Sequence, residues 1–475
     1  MLEKIFKFKE NKTNAKIEVV AGLTTFMTMA YIIALNPNIL TNYGAGGQEL
    51  WNGVFLATCI ASFIGMLAMG LIANKPFCLG PGMGINAFFA IVVGNLVAMT
   101  GMDYVKSFQS VMCIVLIEGI VFVLLSLFNI REKIVEAIPL GVRLGIAPAI
   151  GMMLMNIGFG SNIYIADDNF NQFFLMKDFF GALTAGQAKE MMGSAYPTMV
   201  LSVFTVFIGL FVIVTLAKKG VKAAVILGML VASVINWIGQ FAFLGTNPFA
   251  SLASASFVPA FGDMVNTTLF KFNFKGLGDL GWFTVVTLII TFCIIDMFDT
   301  IGTLVGTASR AGMVDKNGNM PKMKEALLSD AIGTVAGSMT GTSTITTFVE
   351  SASGVEAGGR TGLTAITCGV LFLACIFLAP VAAVIPAAAT SAALVYVGVL
   401  MLSGLKHIDF EDLEVAVPVA IMLIAMPISS SIGHAIGLGM VSYTCIKIFT
   451  GKSKDVSPLT YVISALFLIK FFLAV

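Results

Sequence analysis

Charge is what this sequence has least of. Only 11% of its 475 residues are Asp, Glu, Lys or Arg, while 58% are hydrophobic; soluble domains carry about 25% charged residues. That excludes an ordinary soluble domain and leaves an integral membrane protein. The net charge of +1, with no basic arm or stripe, excludes nucleic acid or an acidic macromolecule as partner. Histidine is nearly absent: His407 and His434 are the two in the chain, too little material for a histidine proton relay. The seven cysteines, Cys59, Cys78, Cys113, Cys293, Cys368, Cys375 and Cys445, lie in apolar stretches with no CxxC and no metal-ligand spacing. They read as inert buried thiols, so no metal and no cofactor is expected. Residues 1–18 hold five lysines and three glutamates but no apolar stretch ending in a cleavage site, so no removed signal peptide is expected there.

What is abundant is apolar runs. They fall near 17–40, 52–72, 76–99, 107–128, 136–158, 198–216, 222–241, 282–308, 325–341, 342–359, 361–379, 381–402, 413–428 and 430–449, many close to the ~20 residues that cross a bilayer as helix. The expected fold is therefore an all-α integral membrane protein of about fourteen transmembrane segments. A further apolar stretch, 458–474, reads as either a fifteenth crossing or an interfacial helix. With the N-terminus inside, 21 of the 27 Lys and Arg fall on the inner side and five fall outside. That asymmetry is the positive-inside signature of a multi-pass protein of the cell membrane with a cytoplasmic N-terminus.

Fourteen spans suggest a seven-plus-seven inverted repeat. PFCLGPGMGINAFF (76–89) echoes GTSTITTFVESASG (341–354), and EAIPLGV (136–142) echoes AVIPAAA (383–389). Asn86 and Glu350 are counterparts in this reading. The run TSTITTFV (342–349) is β-branched and alternating, which suits an extended segment. An open strand in lipid leaves its N–H and C=O groups unmatched, so it needs a protein partner. The Pro- and Gly-rich segment 76–82 supplies one. Segments 3 and 10 are thus expected to be discontinuous, each with a short strand and a half-helix, and the N–H groups of the half-helix are expected to meet the charge of Glu350.

Intramembrane ionisable residues are site candidates by default. Asp296 and Asp299 in IIDMFDTIGTLVGTASR (294–310) lie one turn apart and can share a helix face. Two like charges buried that close favour a proton on one of them. Asp296, Asp299 and Glu350 are accordingly the proton-coupling candidates. Glu118 and Asp330 read as helix ties. Phe88, Phe89, Phe298 and Phe348 flank the polar positions and suit stacking on a flat ring. FTGKS (449–453) lacks the first glycine of a phosphate loop, with Ile446 in its place, and no nucleophile-base-acid set is present. No enzyme is implied.

Four stretches carry a resemblance: AGLTTFMTMAYIIALNP (21–37), GPGMGINAFFA (80–90), DMFDTIGTLVG (296–306) and GTSTITTFVESASGVEAGGRTGLT (341–364). Together they resemble the AzgA-like purine permease branch of the nucleobase-cation symporter family, relatives of uracil permease. The resemblance implies a core domain (17–128 and 282–379) and a gate domain (136–241 and 381–475), with 1–16 a cytoplasmic tail and 242–281 an extracellular loop. It implies Asn86, Asp299 and Glu350 as purine-binding positions and a homodimer; Phe88, Phe348 and Thr347, adjacent in sequence, are the further substrate-binding candidates. Asp299 is preferred to Asp296 because DTIG resembles the placement of the binding acid in related branches, although those carry glutamate there. The expected function is secondary active import of purine bases, guanine/hypoxanthine or adenine, driven by protons as the coupling ion in an elevator-like movement. The alternative from another class is an anion transporter or channel on the same architecture, which would want neutral or basic groups where this chain has carboxylates.

Overall fold

A computed structural model describes residues 2–128, 139–159, 196–250, 252, 256–310, 313, 320–348, 350–429 and 432–473. The start of the fifth expected span (136–138), Val349 of the β-branched run and the side chain of Phe298 lie outside what is described.

The first elements are α1 (Leu2–Phe6), α2 (Ala15–Met29), α3 (Ile32–Leu40), α4 (Gly47–Ala68), strand β1 (Leu79–Pro81), α5 (Met83–Thr100) and α6 (Tyr104–Leu127). Next come α7 (Leu140–Phe159), α8 (Tyr196–Lys218), α9 (Ala224–Gly239), α10 (Phe261–Thr267), α11 (Phe274–Gly278), α12 (Trp282–Arg310) and α13 (Met323–Thr340). The last are strand β2 (Ile345–Thr347), α14 (Ser351–Glu356), α15 (Gly362–Ala374), α16 (Ala379–Ala383), α17 (Ala387–Met401), α18 (Leu413–Ser429), α19 (Ile432–Phe449) and α20 (Pro458–Leu473). Among the described residues nine helical stretches are long and apolar enough to cross a membrane: Ala15–Leu40, Gly47–Ala73, Met83–Thr100, Tyr104–Leu127, Leu140–Phe159, Tyr196–Lys218, Ala224–Leu244, Gly362–Ala383 and Ala387–His407. Their outer faces stay apolar: on α8, Phe204 and Phe211 are 56% and 62% exposed while Val203, Val206 and Ile213 are buried. A helix greasy on every side is built for lipid.

The chain divides into two compact units, Met1–Ala137 with Val258–Ala379 and Phe472–Val475, and Ile138–Phe257 with Pro380–Phe471. In the first, β1 and β2 pair antiparallel, Leu79 opposite Thr347, Gly80 opposite Thr346 and Pro81 opposite Ile345. The stretch 258–281, expected as part of a loop, instead folds into α10 and α11 and covers helix ends of this unit. Asn52 Nδ2 donates to Asp263 Oδ2 at 2.7 Å, Gln109 Nε2 to the carbonyl of Thr267 at 2.9 Å and the Phe270 N–H to the carbonyl of Met339 at 2.8 Å. Its sequence is less apolar than a span, but the buried Met264 side chain and the backbone N–H of Phe270 anchor it in ways that composition does not advertise.

The second unit is held by close helix contacts. A side chain on Gly151 of α7 would come within 2.5 Å of the Gly398 carbonyl of α17, so the two backbones touch, as small residues permit in membranes. Buried polar groups are matched across helices: Asn156 Nδ2 donates to the Pro427 carbonyl at 3.0 Å and Trp237 Nε1 to the Val384 carbonyl at 3.0 Å. At one end Glu414 of α18 pairs with Lys447 of α19 and, at 2.8 Å, with Lys452.

Candidate functional site

The site is built around the two extended segments of the first unit. Pro76 and Pro81 lack an N–H and Gly80 and Gly82 resist helix, so the chain stays extended until Met83 starts α5. On the other side, the β-branched residues Thr342, Thr344, Ile345, Thr346 and Thr347 hold the chain extended. The ladder continues past the strands: the Gly82 N–H bonds the Thr344 carbonyl and the Phe348 N–H the Cys78 carbonyl, each at 3.0 Å. Ser351 Oγ takes the Cys78 N–H at 2.9 Å. Backbone that would be costly in lipid is thereby matched inside protein.

Glu350 directly precedes α14 and is partly exposed. The expectation that the N–H groups of its own helix meet its charge does not hold, for its side chain makes no capping hydrogen bond. The donor is Tyr31, whose hydroxyl reaches Glu350 Oε1 at 2.9 Å. Oε2 is buried with no hydrogen-bond partner among the described residues. The rest of α14 is seated on α2. A side chain on Gly354 would meet Thr25 Oγ1 at 2.2 Å and the Ala21 carbonyl at 2.9 Å. Ser353 Oγ and Thr28 Oγ1 are 3.1 Å apart.

The same seam continues outward. Glu18, fully buried, accepts from the N–H of Arg360 at 2.9 Å, the N–H of Thr361 at 3.1 Å and the hydroxyl of Thr364 at 2.6 Å. Glu18, Ala21, Thr25 and Thr28 follow helical spacing along one face of α2. That face clasps the signature segment from Glu350 to Thr364.

The acids of α12 part company. Asp299 is partly exposed and lies beside the end of β1: a side chain on Gly82 would sit 3.6 Å from Asp299 Oδ2 and 2.8 Å from Thr346 Cγ2. It is within electrostatic reach of Asp330 and Glu350. Asp296 is fully buried and its Oδ1 stands 3.2 Å from Thr300 Oγ1. Thr300 Oγ1 also lies 3.1 Å from both carboxylate oxygens of Asp330 and 2.6 Å from Thr346 Oγ1. Asp330 and Glu118 are fully buried, and Glu118 Oε2 accepts from Thr344 at 2.9 Å. Glu118 ties α6 to the extended segment, and Asp330 ties α13 to α12.

Asn86 is fully buried in the first turn of α5. Its amide donates to Asn36 Oδ1 at 2.6 Å and its carbonyl accepts from Ser343, which leaves one amide hydrogen and one lone pair. Asn36 in turn donates to Thr58 and Thr342 at 2.6 and 2.9 Å. Phe88 is 5% exposed and tilts against Phe292, centroids 5.0 Å apart. Phe348 is 7% exposed, and its ring edge would be 3.2 Å from a side chain on Gly80. Thr347 is buried with its hydroxyl unmatched among the described residues. Strand alternation puts it on the face of Ile345, which packs on Gly65, Gly333 and Gly337, and puts Thr346 on the face of Thr300.

The structure thus gathers Asp299 and Glu350 near one strand crossing and sets Asn86 into a polar network behind it. Sequence reasoning passed over Tyr31, Asn36 and Glu18. The signal available was polar and small residues at helical spacing in an otherwise apolar first span.

Residues 16–439 match the permease family named for xanthine and uracil permeases. The adenine permease AdeP of Escherichia coli strain K12 is 37% identical over 99% of this chain and 96% of its own. The guanine/hypoxanthine permease PbuO of Bacillus subtilis strain 168 is 36% identical over 99% of this chain and 100% of its own. Among solved structures, the transmembrane domain of the cyanobacterial bicarbonate transporter BicA superposes with a TM-score of 0.59 at 17% identity, covering 88% of this chain and 96% of that one. The fold is shared with that transporter; the two sequence relatives are adenine and guanine/hypoxanthine permeases. With its whole length aligned to them, the chain belongs to the xanthine/uracil permease family, a family of membrane transporters and not of enzymes.

Proposed function

We propose that the protein is a secondary active transporter that imports purine nucleobases, adenine or guanine/hypoxanthine, together with protons. Asp299 and Glu350 are the substrate carboxylates, Asn86 adds an amide from behind the strand pair, and Phe88 and Phe348 complete the surround. Purines present ring N–H donors, and carboxylates accept them. The observation that carries this reading is the buried, unmatched Oε2 of Glu350 in a region that also holds the partly exposed Asp299. A buried acceptor left unmatched is costly and awaits a donor. The names of the similar permeases, adenine for one and guanine/hypoxanthine for another, support the substrate class.

Protons are held among Asp296, Asp299 and Glu350. The chain crosses the membrane fourteen times as two inverted halves, with broken spans at the two strands and its N-terminus in the cytoplasm, and a core domain moves elevator-like against a gate domain. Likeness to an anion carrier speaks for the fold alone, and carboxylates at the site disfavour an anion as cargo.

The test is uptake of labelled adenine, guanine, hypoxanthine, xanthine and uracil in cells lacking their own carriers, with and without a proton uncoupler and in sodium-free buffer. Purine accumulation abolished by the uncoupler and indifferent to sodium is expected. Accumulation of none of the purines overturns the reading.

A further inference from the structure

We infer that Tyr31 is a positioning residue for the substrate carboxylate: by holding one oxygen of Glu350 it determines which oxygen is presented to a purine N–H. The inference rests on the purine reading above.

Four observations lead to it. Tyr31 is fully buried and occupies the two-residue turn between α2 and α3, so its ring is fixed by packing at a break in the first span. Its hydroxyl donates to Oε1 of Glu350 at 2.9 Å, while Oε2 is buried without a partner among the described residues. Glu350 takes no orientation from its own helix, since its side chain makes no capping bond. Its backbone is pinned separately: the Glu350 carbonyl accepts from the Ser353 N–H at 2.9 Å and from Ser353 Oγ at 2.7 Å, and that hydroxyl meets Thr28. The seam thus holds the main chain of Glu350 from α2, and Tyr31, just beyond the end of that helix, fixes the carboxylate.

A glutamate side chain with free torsions must be ordered each time substrate binds, at a cost in affinity. The Tyr31 hydroxyl removes that cost in advance and leaves Oε2 with lone pairs that only a donor can satisfy. Among the described side chains, Tyr31 is the one that donates to the Glu350 carboxylate.

The test is Tyr31→Phe in the full-length protein, expressed in cells without purine carriers. KM for the transported purine is expected to rise about tenfold, the loss of one hydrogen bond to a charged group, with the maximal rate within about twofold of the parent's. A merely structural tyrosine would lower the amount of functional carrier and so the maximal rate, leaving KM alone. Purine binding to the purified variants gives the second measurement. The double variant Tyr31→Phe/Glu350→Gln removes both the charge and its donor, and so gives a reading that does not depend on an unpaired buried carboxylate being tolerated. Its affinity is expected to equal that of Glu350→Gln to within about twofold. Parent-like KM in Tyr31→Phe, or a full further tenfold loss in the double variant, overturns the role of Tyr31. A parent that takes up no purine defeats the purine reading instead, so the two failures are distinct.

Discussion

Among the described acids that lie within the spans of the first unit, Asp299 and Glu350 are partly exposed, whereas Asp296, Asp330, Glu118 and Glu18 are fully buried and bonded within the protein. Asp299→Asn and Glu350→Gln should therefore each lower uptake efficiency by about ten- to a hundredfold, the range set by losing ~1.5–3 kcal/mol from a hydrogen bond to a charged group. Labelled-purine uptake, normalised to the carrier present in the membrane, checks this. Asn86 behaves differently because its amide already bridges Asn36 and Ser343. Asn86→Ala strands both partners, so alongside weaker purine binding the melting temperature of the purified protein should fall, reflecting ~1–3 kcal/mol per unmatched buried group. Glu350 and Asp299 were legible in the sequence because a charge in an apolar run must be explained. Tyr31 was not: an aromatic ring in a span reads as packing, and its hydroxyl partner stands 319 positions away.

At the scale of elements, the short helix α14 depends on bare backbone meeting α2. Gly354→Val should drive α14 off Thr25 and Ala21, destabilising the protein by about 1–3 kcal/mol and displacing Glu350 with loss of uptake. Gly94→Ala, on α5 with nothing within 4 Å of the added carbon, is the neutral control. Thermal unfolding in detergent and uptake, measured side by side, decide it. The strand pair was readable in advance, since Pro81 and Gly82 on one side and Thr344 to Thr347 on the other resist helix, and an isolated strand cannot stand in lipid. Nine of the ranges read as spans coincide with helices long and apolar enough to cross. The helices α10 and α11 were missed because short segments anchored by a few contacts carry no periodic signal. The clasp of α2 around residues 350–364 was missed for a related reason: Glu18, Ala21, Thr25 and Thr28 are spaced for a face, but nothing in their order tells what that face meets.

For the whole molecule, the bias of Lys and Arg predicts where the N-terminus lies. A tag fused before Met1 should resist protease added to intact cells and be cut once the membrane is opened; cutting in intact cells would reverse the orientation. The seam between α2 and the signature segment also bears on motion. Glu18, Thr28 and Tyr31 fasten the first span to Glu350, to α14 and to the start of α15 by contacts of 2.6–3.1 Å. Pieces bonded together in this way should move as one body. A covalent staple between positions 28 and 353 should accordingly go unnoticed by the transport cycle, and any joint that flexes must be sought outside that body.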